Sequence, residues 1–367
     1  MDDLLNTLRS EGELDSSGRF ELDWTRAREK LRMWQLTDRY SYILKWVQSA
    51  VAAGARMCRT SFRPDQACLI HDGEPFLPDQ LKSFWSCLLD GGEFKAAWKV
   101  LAIGVNTALG FDKAAVEIES AGPGGGALVR FRGGTMSFSP LVPRPDAATK
   151  LTLRRRLGWT SVLLGRASPE VELLRERARW APLTLYVDSE VIKADFGVPY
   201  STGLPFLPWK LVRYGCSGGE SIQVGRRSLA WQRRLRSAPG RGKFRLGRVT
   251  GQLDPASHDR SPYQEAAGLY VDPALPGSIL WLRHGVVASR TALERGVAGE
   301  VLLACDDLAT DLSGFGFLED ELFSHRRALA CELARDLQRS LRRAFPAERL
   351  EDSLVQALAG NPDMLRR

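Results

Sequence analysis

The stretch SYILKWVQSAVAAGARM, Ser41 to Met57, decides the fold. Ile43, Val47, Ala50, Val51 and Gly54 recur at helical spacing, which gives one apolar face to lie against a core. The opposite face is the place for chemistry, yet it carries no acid. No Asp or Glu occurs between Asp38 and Asp65, and no Asn between Asn6 and Asn106. No shift of register therefore supplies a general base or an amide metal ligand.

Working outward, ELDWTRAREKLRMWQL (Glu21 to Leu36) predicts an opening helix, with Leu22, Ala27, Leu31 and Trp34 available for packing. After the Ser41 helix come a short extended segment around Ala67 to Ile70 and a Gly/Pro turn at DGEPFLPDQL, then helices at Phe84 to Leu89 and Ala96 to Ala108. AAVEIES alternates apolar and acidic side chains as a half-exposed strand does, and ALVRFRGG and GTMSFSP follow at hairpin distance. The run GPGGG, Gly122 to Gly126, lies between strands, so it is read as a hairpin turn and not as a phosphate cradle. TKLTLRRR adds a strand, and Pro169 to Ile192 a helix, a Pro break and another strand. Helices interleaved with hairpin-linked strands predict an α+β, two-layer sandwich. The stretch from about Lys193 to Gln264 is rich in Gly, Pro, Ser and Arg and predicts mixed strands and long loops bridging two domains. A second core opens near Ala266 with SILWLRHGVVASRTAL and GEVLLACDDL, and Leu318 to Phe345 is a long amphipathic helix. The expected units are 1–195, a basic connector 196–265, a smaller α/β unit 266–345 and a helical tail 346–367.

A chain of 367 residues, 44% hydrophobic and 26% charged, has the composition of a globular protein with two cores. The acidic start MDDLLNTLRSEGELD has no basic stretch followed by an apolar one, and no apolar run is long enough to span a bilayer. A cytoplasmic protein without a membrane partner is the expectation. Six cysteines and four histidines are scattered with no ligand spacing, which predicts reduced thiols and no zinc site. The acidic trio Asp306, Asp307 and Asp311 lacks a continuing ligand pattern and reads as a solvated turn.

Four segments in order resemble motifs of the ATPase superfamily of gyrase B, histidine kinases, the ninety-kilodalton heat-shock chaperone and MutL (GHKL, Bergerat fold). They are KWVQSAVAAGA (Lys45 to Ala55), HDGEP (His71 to Pro75), IGVNTALGFDKAAVEIES (Ile103 to Ser120) and ATKLTL (Ala148 to Leu153). The resemblance covers residues 20 to 195 and implies an Hsp90-like ATPase sandwich. The strands around LWLRHGVV and VLLACDDLATDLSGF look similar to the transducer domain that follows it in some members.

The resemblance also implies a nucleotide pocket whose residues have changed. The catalytic Glu position falls on Lys45, whose ammonium accepts no proton from an attacking water. The magnesium-binding Asn position falls on Ser49, and a further Asp position on Ala52. The adenine-binding Asp position falls on His71, with Asp72 one residue away beside Gly73, and the second glycine of that turn becomes Pro75, which removes an N–H. In the lid segment Gly104 stands at one glycine and Asn106 at the next. Lys150 is the remaining phosphate contact implied, with Lys113 the weaker candidate.

Those changes predict a catalytically inactive ATPase-fold protein, binding ATP or ADP weakly or not at all and without Mg2+, that regulates or scaffolds an unidentified protein partner. A nucleotide-switched, chaperone-like ATPase is the alternative. A further alternative rests on Gln223 to Leu253, where nine Lys and Arg meet no acid and could hold nucleic acid. That segment carries only Trp231 and Phe244 for stacking, so a solvated basic loop is the preferred reading.

Overall fold

The computed structural model describes residues 30, 38–89, 95–156, 168–192, 206–212, 221–223, 265–270, 277–293 and 299–344. It is an α+β structure built on two mixed sheets. The Glu21 helix, Cys216, the basic segment 223–253 beyond its first residue and the tail from 346 lie outside the described residues.

Helix α1 spans Tyr42–Ala52 and is buried from its first residue to Ala50. It stops in the motif that a glycine permits. Gly54 takes φ +71°, its N–H reaches the Val51 carbonyl and the Ala55 N–H reaches the Ala50 carbonyl. The residues after it turn into strand β1 (Met57–Arg63), which pairs through a Pro64–Asp65 turn with β2 (Gln66–His71). Two short helices follow, α2 (Pro78–Lys82) and α3 (Ser86–Leu89), then α4 (Ala96–Ala108).

Strands β3 (Ala115–Gly122), β4 (Gly125–Arg132) and β5 (Thr135–Leu141) form two hairpins. The second turns on Gly133 and Gly134, both at positive φ, as a two-residue hairpin turn requires. β6 (Ala148–Arg154) lies between β3 and β2, and helix α5 (Pro169–Arg177) leads to β7 (Thr184–Val187) and β8 (Glu190–Ile192). The eight strands run β5-β4-β3-β6-β2-β1-β7-β8, with β1 and β7 parallel and every other pair antiparallel. α1 and α4 pack on each other, and their side chains join the inner face of this sheet in one apolar cluster.

The second sheet runs β10-β9-β11-β14-β12-β13. Its strands are β9 (Phe206–Val212), β10 (Ser221–Gln223), β11 (Glu265–Tyr270), β12 (Ser278–Arg283), β13 (Val286–Ala292) and β14 (Gly299–Ala304). β9 and β10 come from the stretch expected to hold mixed strands and loops, and since both belong to this sheet, the second sheet starts earlier in the chain than residue 266. The 24-residue helix α6 (Glu321–Ala344) packs on β11 and β14.

Candidate functional site

The eight-stranded unit meets the second sheet along α1 and α5, and of the sequence-predicted positions Lys45 reaches across that meeting. Lys45 is 1% exposed, which is exceptional for lysine. Its Nζ donates to the Gly314 carbonyl at 3.2 Å and lies 3.5 Å from the centre of the Phe315 ring. Burial pushes the ammonium well below its ordinary pKa, Arg283 and Arg177 push the same way, and Asp311 opposes them. A carbonyl dipole and an aromatic face therefore stand in for water around this cation.

The loop that reaches Lys45 is built by its own bonds. Thr310 bridges Phe317, the Asp311 Oδ1 accepts from the Ser313 hydroxyl and the Gly316 N–H, and the Ser313 Oγ accepts from the Phe315 N–H. Gly314 sits at φ +64°, and a Cβ there would lie 3.0 Å from Lys45 Nζ. Position 314 must thus be glycine for two reasons, backbone conformation and room for the ammonium.

Two residues that sequence reasoning passed over complete the contact. Gln48, fully buried one turn from Lys45, donates from Nε2 to the Arg283 carbonyl at 2.9 Å, while its Oε1 has no partner. Arg177 donates to the Val287 and Ala288 carbonyls, both at 2.7 Å, and its guanidinium lies 4.6 Å from the Phe315 ring centre. A glutamine on an otherwise apolar helix face is the signal that could have marked Gln48; nothing in the local sequence marks Arg177. The β12–β13 turn closes the same seam. His284 and Gly285 take positive φ, and a Cβ on Gly285 would stand 2.5 Å from Pro182 Cδ.

The other positions on α1 and α4 face inward. Ser49 is fully buried and donates its hydroxyl to the Ala97 carbonyl at 2.8 Å. Gly104 lies inside α4, where a Cβ would come within 2.8 Å of Trp46 Cδ1 and 2.9 Å of Lys45 Cβ, so glycine sets how closely the two helices approach. Asn106 is fully buried in the same helix. The segment compared with a lid is thus the end of α4, a short turn and β3.

Asp72 and Gly73 hold the end of α1. The Asp72 Oδ1 accepts from the Arg56 and Met57 N–H groups at 2.7 and 2.9 Å, the Glu74 N–H donates to the Ala53 carbonyl, and a Cβ on Gly73 would meet that carbonyl at 2.8 Å. His71, 2% exposed, accepts the Gly73 N–H on Nδ1 and leaves Nε2 without a partner. Burial lowers its pKa to about 4 against the opposing charge of Asp72. Lys150 is elsewhere. It is exposed on β6, paired with Ile70 and Glu119, while its neighbours Thr149 and Leu151 point to the core.

A buried ionic group supports the seam from behind. Glu170, with no exposure, accepts from Arg155 Nη1 at 2.5 Å, from the Tyr42 hydroxyl at 3.1 Å and from the Ser168 hydroxyl. It joins α1 to α5 and to the end of β6. Burial and the neighbouring carboxylate raise the Tyr42 phenol well above its ordinary pKa, with Arg155 opposing.

The chain matches no family model and no curated protein. Chemically, the magnesium implied by the resemblance does not fit these residues. The hydroxyl at Ser49 is buried against a carbonyl, and a cation at Lys45 would repel a metal. Among the described residues no three His, Cys, Asp or Glu cluster as metal ligands. Asp306 accepts from the His284 N–H, Asp307 pairs with Arg326 and Asp311 caps its own loop. None of the five described cysteines forms a disulfide, and no helix among the described residues is long and apolar enough to cross a membrane.

Proposed function

We propose that the chain is a catalytically inactive ATPase-fold protein of the Hsp90-like type, in which the position of the catalytic base has become part of the joint between two sheets and the other nucleotide-facing positions serve internal packing, and that it acts as a regulatory or scaffolding partner of another protein. One observation carries the reading. Lys45, at the position the resemblance gives to the catalytic base, directs its ammonium to the Gly314 carbonyl and the Phe315 ring of the second unit. Its nitrogen is taken up by the second unit instead of standing as the free carboxylate that the resemblance gives this position, and the loop seated against it takes the space beside it.

Ser49, Gly73 and Gly104 support the same reading, since each serves an internal contact. Isothermal titration of the full chain with ATP and ADP, with and without magnesium, tests it. The expected result is no heat of binding, or a Kd weaker than about 100 μM, roughly 5.5 kcal/mol. Magnesium-dependent binding tighter than that, or phosphate release above the level of a Lys45→Ala variant, overturns it.

A further inference from the structure

The outer face of the eight-stranded sheet is unlike the inner one. Residues paired across neighbouring strands point to the same side, so the register places Arg63, Gln66, Arg154, Ala115 and Arg132 in one row across β1, β2, β6, β3 and β4. The three arginines of this row are exposed, and successive ones are two strands, about 10 Å, apart. A second set, Arg59, Lys150 and Arg130, is exposed on the same face nearer its middle.

Glu117 and Glu119 share the face, and both are engaged. Glu119 holds Arg144 at 2.6 Å, and Glu117 lies 3.5 Å from Arg130. The Arg63, Arg132 and Arg154 row has no acidic member. At its middle it opens on a cleft of about 450 Å³ lined by Pro64, Asp65 and Gln66 and by the cations Lys113, Arg154 and Arg156. At the far side of the sheet, Arg59 lies 5.3 Å from the ring of Tyr186, its partner on β7.

We propose that this outer face binds single-stranded nucleic acid, its phosphates lying along the Arg63, Arg154 and Arg132 row. The partner follows from the chemistry. Arginine forks match phosphate oxygens in pairs, and a row of cations at regular spacing fits a polymer of regularly spaced anions better than it fits a compact acidic protein. A flexible strand can follow a twisted sheet, whereas a rigid duplex meets such a surface along one line. The site is separate from the basic segment 223–253 and independent of whether the inner positions hold nucleotide.

Fluorescence anisotropy of a labelled twenty-nucleotide oligothymidylate with the full chain tests the proposal. Binding should weaken steeply with salt. A chain carrying Arg63→Glu, Arg132→Glu and Arg154→Glu should bind at least ten-fold more weakly, and its log–log salt slope should fall by about two, at roughly 0.7 for each phosphate no longer neutralised. The three side chains are exposed, so an unchanged circular dichroism spectrum and melting temperature are expected of that variant. The triple Gln variant gives the same readout without charge reversal. Undiminished binding by both variants overturns the proposal, as does loss of binding only when Arg226, Arg227, Arg233 and Arg234 are neutralised. Equal affinity and salt slope for a duplex of the same length also overturns it.

Discussion

Lys45 is a cation enclosed by a carbonyl, a phenyl ring and two further cations, so its protonation state bears on folding. Burial lowers its pKa in the folded chain below the value of about 10.4 that an unfolded chain retains. Between those two values the unfolded chain holds the extra proton, so stability rises with pH, by at most about 1.4 kcal/mol per pH unit. Lys45→Met keeps the stem and removes the charge. Urea midpoints measured from pH 7 to 10 should therefore rise less with pH in the variant than in the parent, and identical slopes would contradict this account. His71 has the same sign in a lower window. With a folded pKa of about 4 against about 6.5 unfolded, it costs stability as pH falls through that interval, by about 3 kcal/mol in all. His71→Asn keeps an acceptor for the Gly73 N–H and should flatten the pH dependence of the melting temperature between 4 and 6.5. That no acid stands near Lys45 along α1 was legible in the sequence. Its acceptor was not, because Gly314 lies 269 residues away and only tertiary packing brings it there.

Among the elements, α1 was legible because burial on one side imposes a period of 3.6 that survives in the sequence, and its end was legible in the glycine that follows. The structure adds the reason for that glycine, a positive φ and two carbonyls to satisfy. Strand β1 was not legible. MCRTSFR sets polar and charged residues on the outer face of a sheet, so its alternation is shallow, and Pro64–Asp65 is a turn of only two residues. Strands were expected in the stretch that holds β9, but its Gly, Pro and Arg, which normally mark loops, hid where the strand lies. The β12–β13 turn carries the sharpest test at this scale. Gly285→Ala must accept both a positive φ and a Cβ 2.5 Å from Pro182 Cδ and 2.6 Å from Ala181 Cα. A loss of about 2–4 kcal/mol in urea unfolding is expected, larger than the same change at Gly124, which has open space around it. Equal losses at the two sites would mean that the turn does not press on the first unit.

At the scale of the whole molecule, polar and ring contacts among the described residues join the two sheets, with Lys45, Gln48 and Arg177 on one side and Arg283, the β13 carbonyls, Gly314 and Phe315 on the other. Lys45 and Arg177 both lie against the Phe315 ring, so their contributions are coupled. A double-mutant cycle of Lys45→Met and Arg177→Met should show an interaction of about 0.5–2 kcal/mol, and additive losses would mean that the ring does not link them. The α+β layering was legible from alternating strands and helical periods, whereas the seam was not, since it joins side chains to backbone carbonyls that leave no trace in residue type. The same seam constrains what position 45 can hold. Lys45→Glu alone would bury a carboxylate against the Gly314 carbonyl and the face of the Phe315 ring, which repel it, and would turn the repulsion from Arg177 and Arg283 into attraction. The loop at 311–317 would have to retreat first, and without Lys45 and Arg177 to hold it the second sheet would lose its grip on the first. Position 45 and the loop that covers it are therefore mutually constrained, so a change at either is felt by both sheets.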